Sequence, residues 1–529
     1  MSLSIRNLEE SDLPTVQTLI SEKMGSQAVQ ADFMQPEALK SSLFMDTIFA
    51  LVGEDEGNVI GTVSILMDQE TPDTVVGMLG HLCVNSNASR PAVAASLVKT
   101  SLESLASNLQ LCCAEIPTNE LWAQAACEES GFVASGFLPH KYGGEPRPGA
   151  VLYFFLSEQS RNLRRPHPEL IPGARDLATE ALKAHGLIED VEVRDDVVAY
   201  PTECNLVFTP IETSAVQTML EGHTPQEREI FSMLHTTHTC LHLPLGEVTF
   251  MAAKEGERII GVVGYIYDPF DKRVQITDLF TMDGEPQGFL LMQLVDEVAR
   301  KLESDYWEVL VSSHAPRMQK TLDQIGFVPC AYLPAFMMEH GARTDAVKMV
   351  HLTTSYESET LELTSASRSI FAIIDTIFRE YSVGQAVIKL LRDLRIFQNL
   401  GEGELRRVAR LFSQKLFRPG EVVFDEGTSG RELYVVERGE IEIRCGKDDM
   451  LLGTLRNGTV LGEIAFLNGE PRTARAISKS ATIVRVIHRS DFDRLVHRES
   501  HLGLIFFQNM ALDLAEKLKQ STTQAKSGS

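Results

Sequence analysis

The chain repeats itself, and that repeat limits what it can fold into more than any other feature. TVQTLI starts at Thr15 and AVQTML at Ala215; GNVIGTVSI carries Gly61 and ERIIGVVGY carries Gly261, so both pairs stand 200 positions apart. Further on, EESGFVASGFLP and DQIGFVPCAYLP place Gly131–Phe132 and Gly326–Phe327 at an offset of 195. The closing segments GAVLYFFL (149–156) and DAVKMVHL (345–352) also correspond. Self-similarity on this scale means one structural unit used more than once. Two copies are therefore expected, at 1–158 and 204–354, with a connector over 159–203.

The order of elements within a copy is legible. A helix (13–21 and 214–220) precedes a hairpin, FALVGEDEGNVIGTVSIL in one copy and FMAAKEGERIIGVVGYIY in the other. Charged-Gly turns between alternating apolar runs are hairpin signals. A third strand (VVGMLGHLCV, RVQITDLFTM) leads to a long amphipathic helix, 91–105 and 287–302. A strand, a helix ending at the Gly-Phe pair and two final strands complete the unit. The class is α/β with a mixed sheet. In the connector, three prolines over 160–173 read as irregular chain, followed by a helix that Gly186 closes.

This order, with Gly-Phe ending the last helix, resembles the GNAT acyltransferase superfamily. The resemblance implies an acyl-CoA pyrophosphate cradled by backbone N–H groups at a helix N-terminus. The corresponding loop is NASRPAVAAS (87–96) in the first copy, where Arg90, Ala92 and Ala94 are the implied cofactor residues and glycine is absent. The second copy has MDGEPQGFLL (282–291), with Gly284 and Gly288 out of register. The resemblance places a general base at His81 and Asp278. Its general-acid tyrosine position holds Cys127 and Leu322 instead, and Tyr142 and Tyr332 lie elsewhere. The implied activity is transfer of an acyl group from acetyl-CoA or another acyl-CoA to an amine, a protein lysine among the acceptors. The alternative is a GNAT-like pair that has lost catalysis and serves as a sensor or scaffold, binding CoA or a partner protein.

After Leu352 the pattern changes. A linker over 355–388 leads into an apolar helical stretch, 369–394, with Gly384 as a candidate break. From Gln414 short alternating strands and glycine turns follow one another, the mark of a small antiparallel β-barrel or jelly roll. A last helix over 501–520 and a polar tail over 521–529 follow.

Inside that barrel lies GEIAFLNGEPRTA, starting at Gly462. The apolar run 464–467 is expected to anchor a short helical turn whose first N–H groups face an anion. Arg472 supplies a fork for a phosphate, and Glu463 is an acceptor for a sugar hydroxyl. Thr473 and Ala474 are small enough to admit a base. Gly462, Glu463, Ile464, Ala465, Pro471, Arg472 and Ala474 resemble the phosphate-binding cassette of the cyclic-nucleotide-binding domain family, over 389–520. That resemblance implies Glu463 on the ribose hydroxyl and Arg472 on the cyclic phosphate, with cAMP favoured over cGMP as effector. Phe506 and Phe507 read as core residues or as apolar neighbours of the base. Replacing Arg472 by glutamate is expected to abolish binding and leave the barrel folded.

Composition bounds the partners. A net charge of -24 opposes nucleic-acid binding, which gains affinity from Lys and Arg on phosphates. No helix-turn-helix pattern follows the barrel. No apolar run reaches the ~20 residues of a membrane-spanning helix. The N-terminus lacks a charged-then-apolar leader pattern, so a cytoplasmic protein is expected. Eight cysteines without a CxxC read as reduced thiols. HTTHTCLH (235–242) offers His235, His238, Cys240 and His242 as zinc ligands, but no second ligand pair stands near, and no metal is expected.

Overall fold

The computed structural model describes residues 3–24, 40, 43–44, 47–67, 75–85, 89–143, 147–202, 204–216, 229–231, 248–269, 271–281, 287–339, 341–354, 356, 361–446, 448–498 and 500–527. The chain divides into two units, residues 1–378 and 379–529.

Among the described residues, one sheet of 15 strands runs through the first unit. From one edge its strands are Ser4–Asn7, Ile48–Asp55, Asn58–Met67, Val75–Val84, Leu109–Pro117, Ala150–Leu156 and Val133–Leu138. The order continues with Val328–Glu339, Ala342–Leu352, Tyr306–Ser312, Arg273–Thr281, Arg258–Asp268, Thr249–Glu255 and Val207–Ile211. The second series mirrors the first, so the sequence repeat has a counterpart in strand order. Each series has one parallel pair, Val75–Val84 with Leu109–Pro117 and Arg273–Thr281 with Tyr306–Ser312. Parallel neighbours need a crossover, and the helices Arg90–Ser104 and Gln287–Lys301 supply it. The short strand Ile230–Phe231 pairs with Tyr306–Ser312 in the second series.

The Gly-Phe pairs have a backbone explanation. Gly131 (φ 90°) and Gly326 (φ 104°) take the left-handed conformation that ends a helix. The next N–H turns back, from Phe132 to the Cys127 carbonyl at 3.0 Å and from Phe327 to the Leu322 carbonyl at 2.8 Å. Both phenylalanines are buried, and so are Cys127 and Leu322.

The two series join at Gly136 and Ala331, which pair across Val133–Leu138 and Val328–Glu339. Beside the join lies a buried charge cluster. Lys141 bridges Glu308 (2.6 Å) and Glu115 (3.3 Å), and Lys348 bridges the same two carboxylates at 2.9 Å each. Arg273 stands 3.4 Å from Glu308. Burial alone would raise the Glu308 carboxyl; Lys141, Lys348 and Arg273 outweigh it and hold it well below the usual carboxylate range.

His185, after the connector helix Arg175–Ala184, is buried with its Nε2 2.9 Å from the Ser135 hydroxyl. Burial, helped by the Arg161 charge, pushes its pKa down from 6.5 to about 3. The unfolded chain therefore takes up a proton below pH 6.5 that the folded chain refuses. The stability that His185 contributes is complete above pH 6.5 and is lost between pH 6.5 and 3, at about 1.4 kcal/mol per pH unit. Urea unfolding at pH 7 and pH 5 should show this loss in the native chain and a smaller one in His185→Gln. Equal losses in the two proteins would contradict it.

The second unit holds two four-stranded antiparallel sheets. One is Ser413–Phe417, Thr482–His488, Glu432–Arg438 and Val460–Leu461; the other is Val422–Phe424, Arg475–Ser478, Ile441–Cys445 and Met450–Leu455. This is the expected small β-barrel or jelly roll. Helices Glu402–Ala409, Arg489–Arg498 and Ser500–Ser527 flank it. Phe397, Phe466, Phe492, Phe506 and Met510 share a core with Leu433, Val435 and Ile487. Phe506 is therefore a core residue, and Phe507 packs partly buried against the same cluster. The boundary between the units falls within the helix Ser365–Arg392, which runs through the candidate break at Gly384 uninterrupted.

Candidate functional site

The stretch 462–474 turns on a glycine. Gly462 has φ 87°, a conformation that favours glycine, and its own neighbours leave no room for a side chain. A Cβ there would stand 2.4 Å from Nη1 of Arg472 and 2.9 Å from the Glu432 carbonyl. The short helix Glu463–Asn468 follows and ends at Gly469 (φ 72°). Ala465 and Phe466 are buried and fix this helix to the barrel. Ile464 departs from expectation: it is 43% exposed, because the turn points it away from the core.

Arg472 is buried, with its side chain only 2% exposed. Its Nη2 donates to the Glu432 carboxylate at 2.9 Å and to the Glu432 carbonyl at 3.0 Å; Nη1 donates to the Gly462 carbonyl at 3.2 Å. The guanidinium lies 4.5 Å from the Phe424 ring centre and 5.5 Å from that of Tyr434. Its backbone is pinned as well: the Arg472 N–H donates to the Thr428 carbonyl (2.9 Å), and Gly427 N–H donates to the Arg472 carbonyl (2.8 Å). Gly430 provides the opposite wall, since a Cβ on it would meet Nη2 at 2.9 Å. A buried charge is costly unless paired, and here carboxylate, carbonyls and ring faces stabilise it. The result is a preorganised cation beside the start of the Glu463–Asn468 helix.

Glu463 opens that helix. Its carboxylate pairs with Lys517 of the C-terminal helix Ser500–Ser527. Thr473 is exposed and Ala474 half-buried. Arg489 closes the far end: it donates to the Phe466 carbonyl at 2.8 Å, and its guanidinium packs 5.1 Å from the Phe507 ring centre. Sequence reasoning did not find Glu432, Gly430, Arg489 or Lys517. They lie outside the motif, and only the pairing of distant strands and the return of the last helix bring them to it.

The other candidates belong to the first unit. His81 is buried in Val75–Val84 with φ 47°, its Nδ1 2.8 Å from the Ser64 hydroxyl. Asp278 occupies the matching strand Arg273–Thr281 and is half-buried, opposite Gly264. Both strands carry a pairing irregularity close to these residues. Arg90 begins the helix Arg90–Ser104, 5.8 Å over the Trp122 ring; Ala92 is exposed and Ala94 fully buried. Tyr142 donates to the Glu115 carbonyl at 3.2 Å, and Tyr332 donates to Asp345 at 2.5 Å. In the second copy, Gly284 lies outside the described residues. Gly288 faces the connector so closely that a Cβ would be 2.6 Å from the carbonyls of Tyr200 and Pro201. His235, His238, Cys240 and His242 lie outside the described residues. Among the described residues no group of three or more His, Cys, Asp or Glu side chains could hold a metal, and no described helix is long and apolar enough to cross a membrane.

Residues 414–499 match the family model of the cyclic nucleotide-binding domain, so the chain carries such a domain in its C-terminal part. The cAMP-dependent protein kinase regulatory subunit of Yarrowia lipolytica is 32% identical over 106 residues, 20% of this chain and 28% of that protein. A cyclic nucleotide-gated channel of Caenorhabditis elegans is 32% identical over 113 residues, 20% of this chain and 15% of the channel. The cGMP-dependent protein kinase of Toxoplasma gondii is 25% identical over 191 residues, 35% of this chain and 18% of the kinase. The chain thus spans less than a third of the length of each of these relatives.

Proposed function

We propose that the second unit binds a cyclic mononucleotide at 462–474 and that its occupancy regulates the first unit. The observation that carries this is Arg472, a buried guanidinium held between Gly430 and Gly462 at the start of the Glu463–Asn468 helix. In this reading Arg472 meets the cyclic phosphate, Glu463 accepts from the sugar hydroxyl, and Gly462, Ile464, Ala465, Thr473 and Ala474 shape the pocket. The likeness to a cAMP-dependent kinase regulatory subunit supports cAMP as the preferred effector over cGMP. A cytoplasmic location goes with a second-messenger ligand.

For the first unit the reading is an N-acyltransferase of GNAT type in two copies, with 1–158 taking acyl-CoA. The mirrored strand order and the paired Gly-Phe helix ends support it. In this reading Arg90, Ala92 and Ala94 lie along the CoA pyrophosphate loop, and His81 or Asp278 acts as base. The connector packed on Gly288 disfavours the second copy as the cofactor site. A scaffold without catalysis is the competing reading, favoured by the buried Cys127 and Leu322 where the family's acid would stand.

Calorimetry of the full chain with cAMP, cGMP and acetyl-CoA tests these readings. Saturable cAMP binding, tighter than cGMP, is expected. No heat with either nucleotide would sink the first proposal. Nucleotide binding without acetyl-CoA binding would sink acyl transfer and leave the scaffold.

A further inference from the structure

Both residues given to the ligand are held by the chain's own side chains, and for Glu463 the partner lies 54 positions away. Lys517 sits in the helix Ser500–Ser527, whose two parts differ. The first part is fixed: Leu502, Phe506 and Met510 are buried, and the Asn509 side chain donates to the Gln398 carbonyl at 2.6 Å. Past Met510 burial fades. Ala511, Leu512 and Ala515 are exposed, and Leu514 touches the core only from its edge. Lys517 stands seven residues beyond Met510, about 10 Å along the axis. There its ammonium bridges Glu463 and, at 3.0 Å, Asp513. Burial alone would lower the Lys517 pKa; Glu463 and Asp513 outweigh it and keep the ammonium charged.

We propose that Lys517 is an internal competitor for the ligand at Glu463, so that filling the cassette releases the helix end 511–527. The proposal rests on the cyclic-nucleotide reading above. A carboxylate only accepts hydrogen bonds. The ammonium occupies Oε1 of a side chain that is 12% exposed, so an incoming sugar hydroxyl contends with it for the same carboxylate. A hydroxyl donating to Glu463 displaces the ammonium. The segment beyond Met510 then loses a tie that its sparse apolar contacts do not replace. Coupling of this kind is reciprocal: if ligand loosens the helix end, freeing the helix end tightens the ligand. Lys517 is 47% exposed, and half-exposed ion pairs are weak, so the effect on affinity should be about three- to tenfold.

The test is cAMP calorimetry on the full chain and on its Lys517→Ala and Lys517→Gln variants, with amide hydrogen exchange followed over 511–527. Both variants should bind about three- to tenfold tighter. In the native chain, cAMP should speed exchange over 511–527; in the variants that segment should exchange fast already. Weaker binding by the variants would make Lys517 a ligand contact and overturn the proposal, as would unchanged affinity or slower exchange with cAMP. Absence of cAMP and cGMP binding in all three proteins would instead sink the cassette reading beneath it.

Discussion

Replacing Arg472 with lysine is expected to weaken cyclic-nucleotide binding by about a hundredfold or more, close to 3 kcal/mol, while the barrel stays folded. Lysine keeps the charge but offers a compact ammonium in place of a fork. The guanidinium already spends donors on the Glu432 carboxylate and on two carbonyls, and it has further N–H groups for an anion. An ammonium in the same slot cannot serve both sets. Charge reversal is the poorer experiment, contrary to the expectation from sequence. A glutamate at 472 would put a second carboxylate against Glu432, 2.9 Å from the present guanidinium, and against the faces of Phe424 and Tyr434. The barrel itself would then lose stability, and lost binding would say little about the ligand. Gly462→Ala is the independent companion. It keeps the arginine in the sequence but directs a Cβ to 2.4 Å from Nη1 in a left-handed turn, so the guanidinium or the turn must shift. It should lose affinity on the same scale. Calorimetry with cAMP checks both; an affinity within threefold of the native chain for Arg472→Lys would remove Arg472 from the site.

The parts of this architecture that sequence revealed were those written in local chemistry. Hairpins with charged-Gly turns, glycines that end helices and the short motif around Arg472 each signal themselves within about ten residues. Gly131 and Gly326 were visible as a repeated Gly-Phe because a left-handed helix end constrains the residue type. What stayed hidden depends on long-range pairing. Glu432 reaches Arg472 only because Glu432–Arg438 and the loop after the helix Glu463–Asn468 meet across 40 positions. Lys517 reaches Glu463 only because the last helix folds back. Nor does any period in the sequence say that the two copies share one sheet, since an edge strand and a joined strand alternate alike.

The joint between the copies should be the most fragile place in the first unit. Gly136→Val is expected to destabilise that unit by about 3 kcal/mol or more, or to leave it unfolded. A Cβ at 136 would lie 2.2 Å from the Ala331 Cβ, 2.6 Å from the Cys330 carbonyl and 2.7 Å from the Ala331 Cα. Two of those three atoms are backbone, so a rotamer change cannot relieve the overlap; the strands must part. Parting them also strains the charges alongside. Lys141 and Glu115 come from the first copy, Glu308, Lys348 and Arg273 from the second, and two of the bridges, Lys141–Glu308 and Lys348–Glu115, cross from one copy to the other. Opening the joint separates ions whose burial is tolerable only as a paired set. A swap isolates the steric step. Gly136→Ala should be destabilising alone, and adding Ala331→Gly should restore part of the loss by removing the closest of the three contacts. Guanidinium unfolding followed by tryptophan fluorescence reads the first unit, since Trp122 and Trp307 both lie in it. If Gly136→Val unfolds at the native midpoint, the copies are not held together at this joint.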